Sequence, residues 1–419
     1  YLNDAGYHCE VLDYQPSYVK ESYQLVKVPH SPSGVLLSGF QAMHYRERKV
    51  RRERFEAFRK KYLKTTYEKA TRKEEVIALA NEFDVLICGS DQIWNPKLHH
   101  FDETYFLSYP EIKPKKMSYA ASFGQDSLDD DSKNEIARRI SAIERFGCRE
   151  YTAQKLVHEL TGQNAAMVLD PVFLLSAEAW RKMKTEFGCQ GGKYILAYFL
   201  SNPGCSMKAA EGYAQKSGEQ LYSIGFSPRD VKNHAVNRYD LGPQEFLSAI
   251  DGADTVITNS FHATAFSIIF HKRFFTRISS GNDSRNDRML SLLKQLGLES
   301  RTFTDENADT VDFSQEIDYD AVEERLQHLI LSSKSFLGDS IEELTEAEKK
   351  NSRITTNPCT ACGACASVCP VGCIDIKINA DGFYAPIVDH ENCVECGACT
   401  RVCPANHRLP GRNWKEGTY

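Results

Sequence analysis

Short apolar runs recur along the first three-quarters of the chain, each followed by a polar cluster and then a stretch of helical periodicity. EVLDY (10–14), DVLIC (84–88), MSYAA (117–121) and MVLD (167–170) form one set. YILAYF (194–199), LYSIGF (221–226), DTVITN (254–259) and RFFTRI (273–278) form a second. Their length and their β-branched and aromatic content predict buried strands. SKNEIARRISAIERFG (132–147) and PQEFLSAIDGA (243–253) carry the 3.6-residue period of amphipathic helices. Strand alternating with helix predicts an α/β fold with parallel sheets. Two sets predict two Rossmann-like halves that meet near LDPVFLLSAEAW (169–180).

The expected boundaries are 1–175 for the first half and 176–335 for the second, with a charged helical or flexible linker over 336–354 and a small module over 355–407. The opening YLNDAG reads as the last turn of a helix closed by Gly6. An α/β half that opens there lacks a first strand and helix, so the first half is expected to be truncated at its N-terminus.

Length and composition leave this picture intact. The 419 residues have room for two or three domains, and 42% hydrophobic with 26% charged residues is ordinary for a globular chain. A net charge of -6 argues against nucleic acid as the main partner. No apolar run reaches the length of a membrane span and no signal-peptide pattern opens the chain, so a cytoplasmic location is expected. The basic segment RERKVRRERFEAFRKKY (46–62) could bind phosphates, lipid head groups or nucleic acid. Its Phe55, Phe58 and Tyr62 fall on one helical face and Glu47, Glu53 and Glu56 interrupt the charge, which reads instead as a solvated amphipathic helix.

Cysteine changes the picture. Five of the 14 (Cys9, Cys88, Cys148, Cys189, Cys205) are scattered, and nine crowd between Cys359 and Cys403. CTACGACASVCP and CVECGACTRVCP are two copies of C-x2-C-x2-C-x3-C-P, 34 residues apart. In two-cluster modules the fourth cysteine of each run serves the other cluster. Cys359, Cys362, Cys365 and Cys403 are therefore assigned to one [4Fe–4S] cluster, and Cys393, Cys396, Cys399 and Cys369 to a second. Zinc takes paired ligands, and disulfides do not suit a reducing compartment. Cys373 is left over as a structural thiol. The segment resembles bacterial-type ferredoxins, small α+β iron–sulfur domains.

Ligands of open parallel sheets bind outside the carboxyl ends of the strands. Ser90, Asp91, Gln92, Trp94 and Asn95 follow DVLIC, SFG follows MSYAA, and Arg149 follows a helix read as ending at Gly147. Asn259 and Ser260 follow the DTVIT run, where either can cap a helix whose first turn carries His262 and Thr264. Four polar clusters at strand ends predict a binding cleft between the halves.

FDVLICGSDQIWNP, KMSYAASFG, GCREYT, VLDPVFLL and ITNSFHATAFSIIF, in this order, resemble the polysaccharide pyruvyl transferases, over about residues 1–330. The resemblance implies two Rossmann-like halves facing a cleft, as in GT-B glycosyltransferases. It also implies transfer of pyruvate from phosphoenolpyruvate onto a sugar as a ketal. Arg149 would then be the donor-site cation and His262 the acid/base. Ser260 and Thr264 would contact phosphate, and the GSDQIWN residues would border the substrates. Some relatives carry Arg-Leu-His where this chain has Ser260-Phe261-His262, leaving Lys272, Arg285 or Arg288 to supply the missing charge.

The clusters have no place in that reaction, which involves no net electron transfer. The simplest account is an appended electron carrier with a redox protein partner. Two alternatives stand beside it: an iron–sulfur oxidoreductase subunit in which the clusters are the functional centre, and a GT-B-type sugar transferase.

Overall fold

Alternation along the strands decides where the core lies. The computed structural model of the chain describes residues 1–16, 18–19, 24–25, 32–125, 127–189, 191–200, 205–225, 233–280, 286–351, 359–378, 384–389, 392–394 and 396–404, and of 32–33 and 346–351 the backbone alone. The chain divides into two units, Tyr1–Gly338 and Asp339–Tyr419.

In the first half, β1 (Val11–Tyr14) is followed by the helices α1 (Pro32–Met43) and α2 (Tyr45–Tyr62), β2 (Thr65–Ala70) and α3 (Lys73–Ala80). β3 (Val85–Cys88) and β4 (Lys115–Ala121) precede α4 (Asp130–Ile140), β5 (Arg145–Cys148), α5 (Tyr151–Thr161) and β6 (Ala165–Met167). β3-β4-β5-β6 is an all-parallel sheet in that order, and β1 pairs β2 in a separate parallel ribbon. The helix expected to run to Gly147 stops at Ile140, and Arg145–Cys148 is a strand paired with β4 and β6. This correction moves Arg149 from a helix end to the carboxyl end of a strand. β2 was also not foreseen: TTYEKA buries only Thr66 and Ala70 and has no apolar run.

The second half contains β7 (Tyr194–Tyr198), α6 (Ser206–Ser217), β8 (Gln220–Ser223), β9 (Val236–Asn237), α7 (Pro243–Gly252), β10 (Thr255–Thr258), α8 (Phe261–Ile269), β11 (Arg273–Arg277), α9 (Asp287–Leu296), β12 (Thr302–Phe303) and α10 (Tyr319–Asn351). Its sheet is parallel throughout, ordered β12-β11-β10-β7-β8-β9. Leu196, Val256 and Phe274 pack with α7, α8 and α9 on one face. Their neighbours Ile195, Ala197, Ile257 and Phe275 pack with Met207, Ala210 and Ala214 of α6 on the other. Successive strand residues point to opposite faces, so the middle of a strand covered on both sides carries consecutive apolar residues. That is why these strands stand out in the sequence.

The protein is thus an α/β molecule with two Rossmann-like halves. Of the stretch expected to be a helical or flexible linker (336–354), residues 336–351 belong to α10 and the rest lie outside the described residues. In the second unit, β13 (Ile374–Ile378) and β14 (Tyr384–Val388) pair antiparallel. Two one-turn helices, Ala364–Ser367 and Ala398–Arg401, contact one another and sit at equivalent places in the sequence repeat.

Candidate functional site

The carboxyl ends of β3, β5, β6 and β10 converge on one polar cluster. Gly89 opens the loop after β3 with φ +137, and a Cβ there would meet Tyr119 O at 1.9 Å, so only glycine lets this loop lie against β4. Asp91 follows at φ 66 and pairs with Ala121; Ala120, at φ 52, bends the end of β4. Two non-glycine residues in the left-handed region, side by side at a cleft, are strain of the kind that collects at functional sites.

Arg149, one residue beyond β5, occupies the centre. Its Nη1 donates to Asp170 Oδ2 at 2.7 Å, its Nη2 donates to Asp91 Oδ1 at 3.0 Å, and its guanidinium lies 4.5 Å from the centre of the Phe261 ring. The side chain is 2% exposed. Asp170 follows β6, is equally buried, and also caps the turn Pro171–Leu174 by accepting from Val172 N at 3.2 Å. His262, in the first turn of α8, places Nε2 4.0 Å from Asp170 Oδ2 and leaves 43% of its side chain open. Phe261 and His262 come from the second half, Arg149 and Asp170 from the first, so the cluster forms the seam between them.

Arg288 stands at the rim, in the first turn of α9, with Nη1 3.4 Å from Asp91 Oδ1. The start of α9 is fixed on α5: Asp287 accepts from Thr152 N at 3.2 Å and from the Thr152 hydroxyl. Burial and the neighbouring Arg149 pull the Arg288 pKa below its ordinary value, against the pull of the surrounding carboxylates. Burial works against ionisation of Asp91, yet Arg149 above all holds its carboxyl below the ordinary range. Glu150, 3% exposed, is pushed up to about 7 by burial, which outweighs the attraction of Arg149. Glu150 Oε2 and Arg149 Nε lie 3.8 Å apart, and neither has a hydrogen-bond partner.

The expected site residues divide accordingly. Asp91, Arg149 and His262 come together. Arg149 is corrected as a direct donor-site cation, because two carboxylates and an aromatic ring enclose it. Trp94 is corrected from substrate contact to core: fully buried, it packs against Phe106, Phe123 and Phe146. Thr264 is corrected likewise, its buried hydroxyl lying 2.8 Å from that of Thr276 on β11. Ser260 is buried, and its hydroxyl caps α8 by accepting from Ala263 N at 3.4 Å. Asn259 accepts from Leu200 N at 2.8 Å and ties the ends of β7 and β10. Asn95 caps the one-turn helix Pro96–His99 and bonds Gln92 at 3.0 Å, while Ser90 is half-buried in the same loop. Lys272 precedes β11, at the end of the sheet remote from the cleft, and donates to Asp251 O at 2.7 Å. Arg285 lies outside the described residues. Asp170, Glu150 and Phe261 were given no role, although each lies inside a quoted motif, VLDPVFLL, GCREYT or ITNSFHATAFSIIF.

In the second unit, Cys359, Cys362, Cys365 and Cys403 line one small cavity with Ile376 and Pro386. Gly363 and Gly397, both left-handed, start the two one-turn helices, and Ala361 N donates to Cys359 Sγ at 3.3 Å. Cys369, Cys393 and Cys399 pack around Cys373 and Ile374. Among the described residues, no three His, Cys, Asp or Glu side chains converge as the ligands of a single ion would. Four cysteines around one cavity are the donor set that a cubane takes.

A family model described as polysaccharide pyruvyl transferase matches residues 1–281, and one described as a 4Fe-4S dicluster domain matches 358–407. No curated protein matches the chain. Among solved structures, a UDP-GlcNAc 2-epimerase from Neisseria meningitidis is 11% identical, with 77% of this chain and 100% of that one covered and a TM-score of 0.38. The Methanocaldococcus jannaschii UDP-GlcNAc 2-epimerase is 11% identical, with coverage of 68% and 74% and a TM-score of 0.36. The wall teichoic acid polymerase TagF is 9% identical, with coverage of 79% and 92% and a TM-score of 0.36.

Proposed function

The chain belongs to the polysaccharide pyruvyl transferase family and carries a 4Fe-4S dicluster domain behind its transferase part, and from that premise we propose that it moves pyruvate from phosphoenolpyruvate onto two hydroxyls of a sugar. The two sugar oxygens bond to C2 of the donor, whose bond to the phosphate oxygen breaks. One hydroxyl proton goes to the methylene carbon, making it a methyl group, and the other leaves with inorganic phosphate. Electrons balance without an oxidant.

His262, half-open and beside the fixed carboxylate of Asp170, is suited to carry a proton between a sugar hydroxyl and the donor carbon. Arg288 is suited to receive the phosphate or carboxylate of the donor, because it stands at the mouth of the cleft, held there by a 3.4 Å contact to the exposed Asp91. Arg149 acts through others, holding Asp91 and Asp170 in place. The observation that carries this reading is the Asp91–Arg149–Asp170–His262 chain, drawn from four strand ends.

In the tail, Cys359, Cys362, Cys365 and Cys403 would hold one [4Fe–4S] cluster and Cys369, Cys393, Cys396 and Cys399 the other. The clusters supply single-electron transfer when bound, to a redox protein partner and not to the sugar. The test is phosphate release from phosphoenolpyruvate with a panel of pyranoside acceptors. Release that depends on acceptor supports transfer, whereas release of a nucleoside diphosphate from a nucleotide sugar would replace this reading with sugar transfer.

A further inference from the structure

From Arg46 to Lys61, α2 carries nine arginines and lysines against three glutamates, a formal +6 on a chain whose total is -6. Only part of this charge serves the fold. Arg54 bonds Asp240 at 2.8 Å and Glu245 at 3.1 Å, and Arg59 bonds Asp13 at 3.0 Å. Lys49 and Arg52 make exposed one-turn pairs with Glu53 and Glu56, which add little to stability. Arg46, Lys60 and Lys61 are exposed and have no carboxylate partner among the described residues. No residue of α2 is buried.

The same region exposes apolar side chains. α1 and α2 touch one another and join at His44. On α1, Leu36 is 72% exposed and Met43 73%; seven residues apart, they share a helical face. Val35, Tyr45, Val50 and Phe55 are exposed as well. A merely solvated helix has no use for this combination, since each exposed apolar side chain costs free energy in water and unpaired like charges repel.

We propose that α1 and α2 form a docking surface for an anionic lipid bilayer. Lipid phosphates meet the lysines and arginines, while the boundary between head groups and acyl chains takes up Leu36 and Met43. Nucleic acid answers the charge alone and leaves the apolar residues in water, so it fits less of what is present. The surface holds the protein at a membrane without crossing it; no described helix is long and apolar enough to cross one. This inference does not depend on the reaction catalysed.

The test is flotation of the whole, cluster-loaded protein with vesicles of phosphatidylglycerol and phosphatidylcholine, against vesicles of phosphatidylcholine alone. Two variants accompany it, Arg46→Glu/Lys49→Glu/Lys60→Glu and Leu36→Ser/Met43→Ser, both on exposed positions and checked for fold by circular dichroism. The expected result is binding to anionic vesicles only, weakened by salt. The charge reversals should lower it about 100-fold, at about fivefold per basic residue, and the serine pair should lower it by about tenfold or more. Equal binding to neutral vesicles, or no loss in the charge-reversal variant, would overturn the proposal. So would binding of duplex DNA or RNA that α2 controls while vesicles are ignored. Loss in the charge variant with none in the serine pair would overturn insertion of the apolar residues.

Discussion

Nε2 of His262 lies 4.0 Å from Oδ2 of Asp170, across the seam between the two halves. Asp170 cannot turn away: that oxygen accepts from Arg149 at 2.7 Å and the other caps the following turn. A carboxylate fixed in this way can set the orientation of an imidazole that works beside it. His262→Gln should therefore lower the rate of phosphate release by about 10²–10⁴-fold, with phosphoenolpyruvate binding kept within a few-fold. Calorimetry beside steady-state kinetics checks both, and an unchanged turnover number would remove His262 from the chemistry.

Arg149 and Arg288 approach the same oxygen of Asp91, one from the interior and one from the rim. Arg149→Ala leaves the buried carboxylate of Asp170 without its cation and should cost about 3–5 kcal/mol of stability. Arg288→Ala should unfold at nearly the wild-type temperature but bind phosphoenolpyruvate about 10–100-fold more weakly, the value of one charged hydrogen bond. Thermal unfolding and donor titration of the two variants separate the roles. Donor binding untouched in Arg288→Ala would show that the anion lies elsewhere.

The strands that the sequence made legible are those covered on both faces, because Ile195–Ala197 or Val256–Ile257 place consecutive apolar side chains on opposite faces of the sheet. β2 buries only two of its six residues, and RFGC follows so closely on a helical period that it reads as part of it. The polar clusters at strand ends were equally legible, but not their partners. Asp91 and Arg149 are 58 residues apart, and nothing local says that they touch. Trp94 shows the opposite failure: in a polar loop it reads as a binding residue, whereas its ring fills the space between Phe106 and Phe123. The iron–sulfur domain was legible from its cysteine repeat, since thiol spacing on a tight turn is local chemistry.

Glu150 supplies a pH signature. Its carboxyl is pushed from the ordinary 4.5 up to about 7 by burial. Folding therefore favours the protonated form. Stability from this group is fully present below about pH 4.5 and is lost as pH rises through about 7, by about 3 kcal/mol in all. Glu150→Gln keeps the shape and removes the titration. Its stability should gain relative to that of the wild type as pH rises between about 4.5 and 7. Urea unfolding across that window checks the sign, and parallel curves would mean that the carboxyl is not perturbed.

Cys403 lines a cavity with Cys359, Cys362 and Cys365, although 38 residues separate it from the nearest of them, Cys365. If these four hold one cluster, Cys403→Ser should weaken that cluster and spare the one assigned to Cys369, Cys393, Cys396 and Cys399. About half the iron should be lost, and one of two reduced-state paramagnetic signals should disappear. Pyruvyl transfer moves protons and a carbon unit but no net electrons, so phosphate release should stay unchanged. Iron analysis and electron paramagnetic resonance read the first expectation, and the transfer assay reads the second. Loss of both signals would mean that the clusters are not held as two crossed sets. A fall in transfer that follows the iron would make the tail part of the catalytic cycle, and the oxidoreductase reading would displace that of an appended carrier.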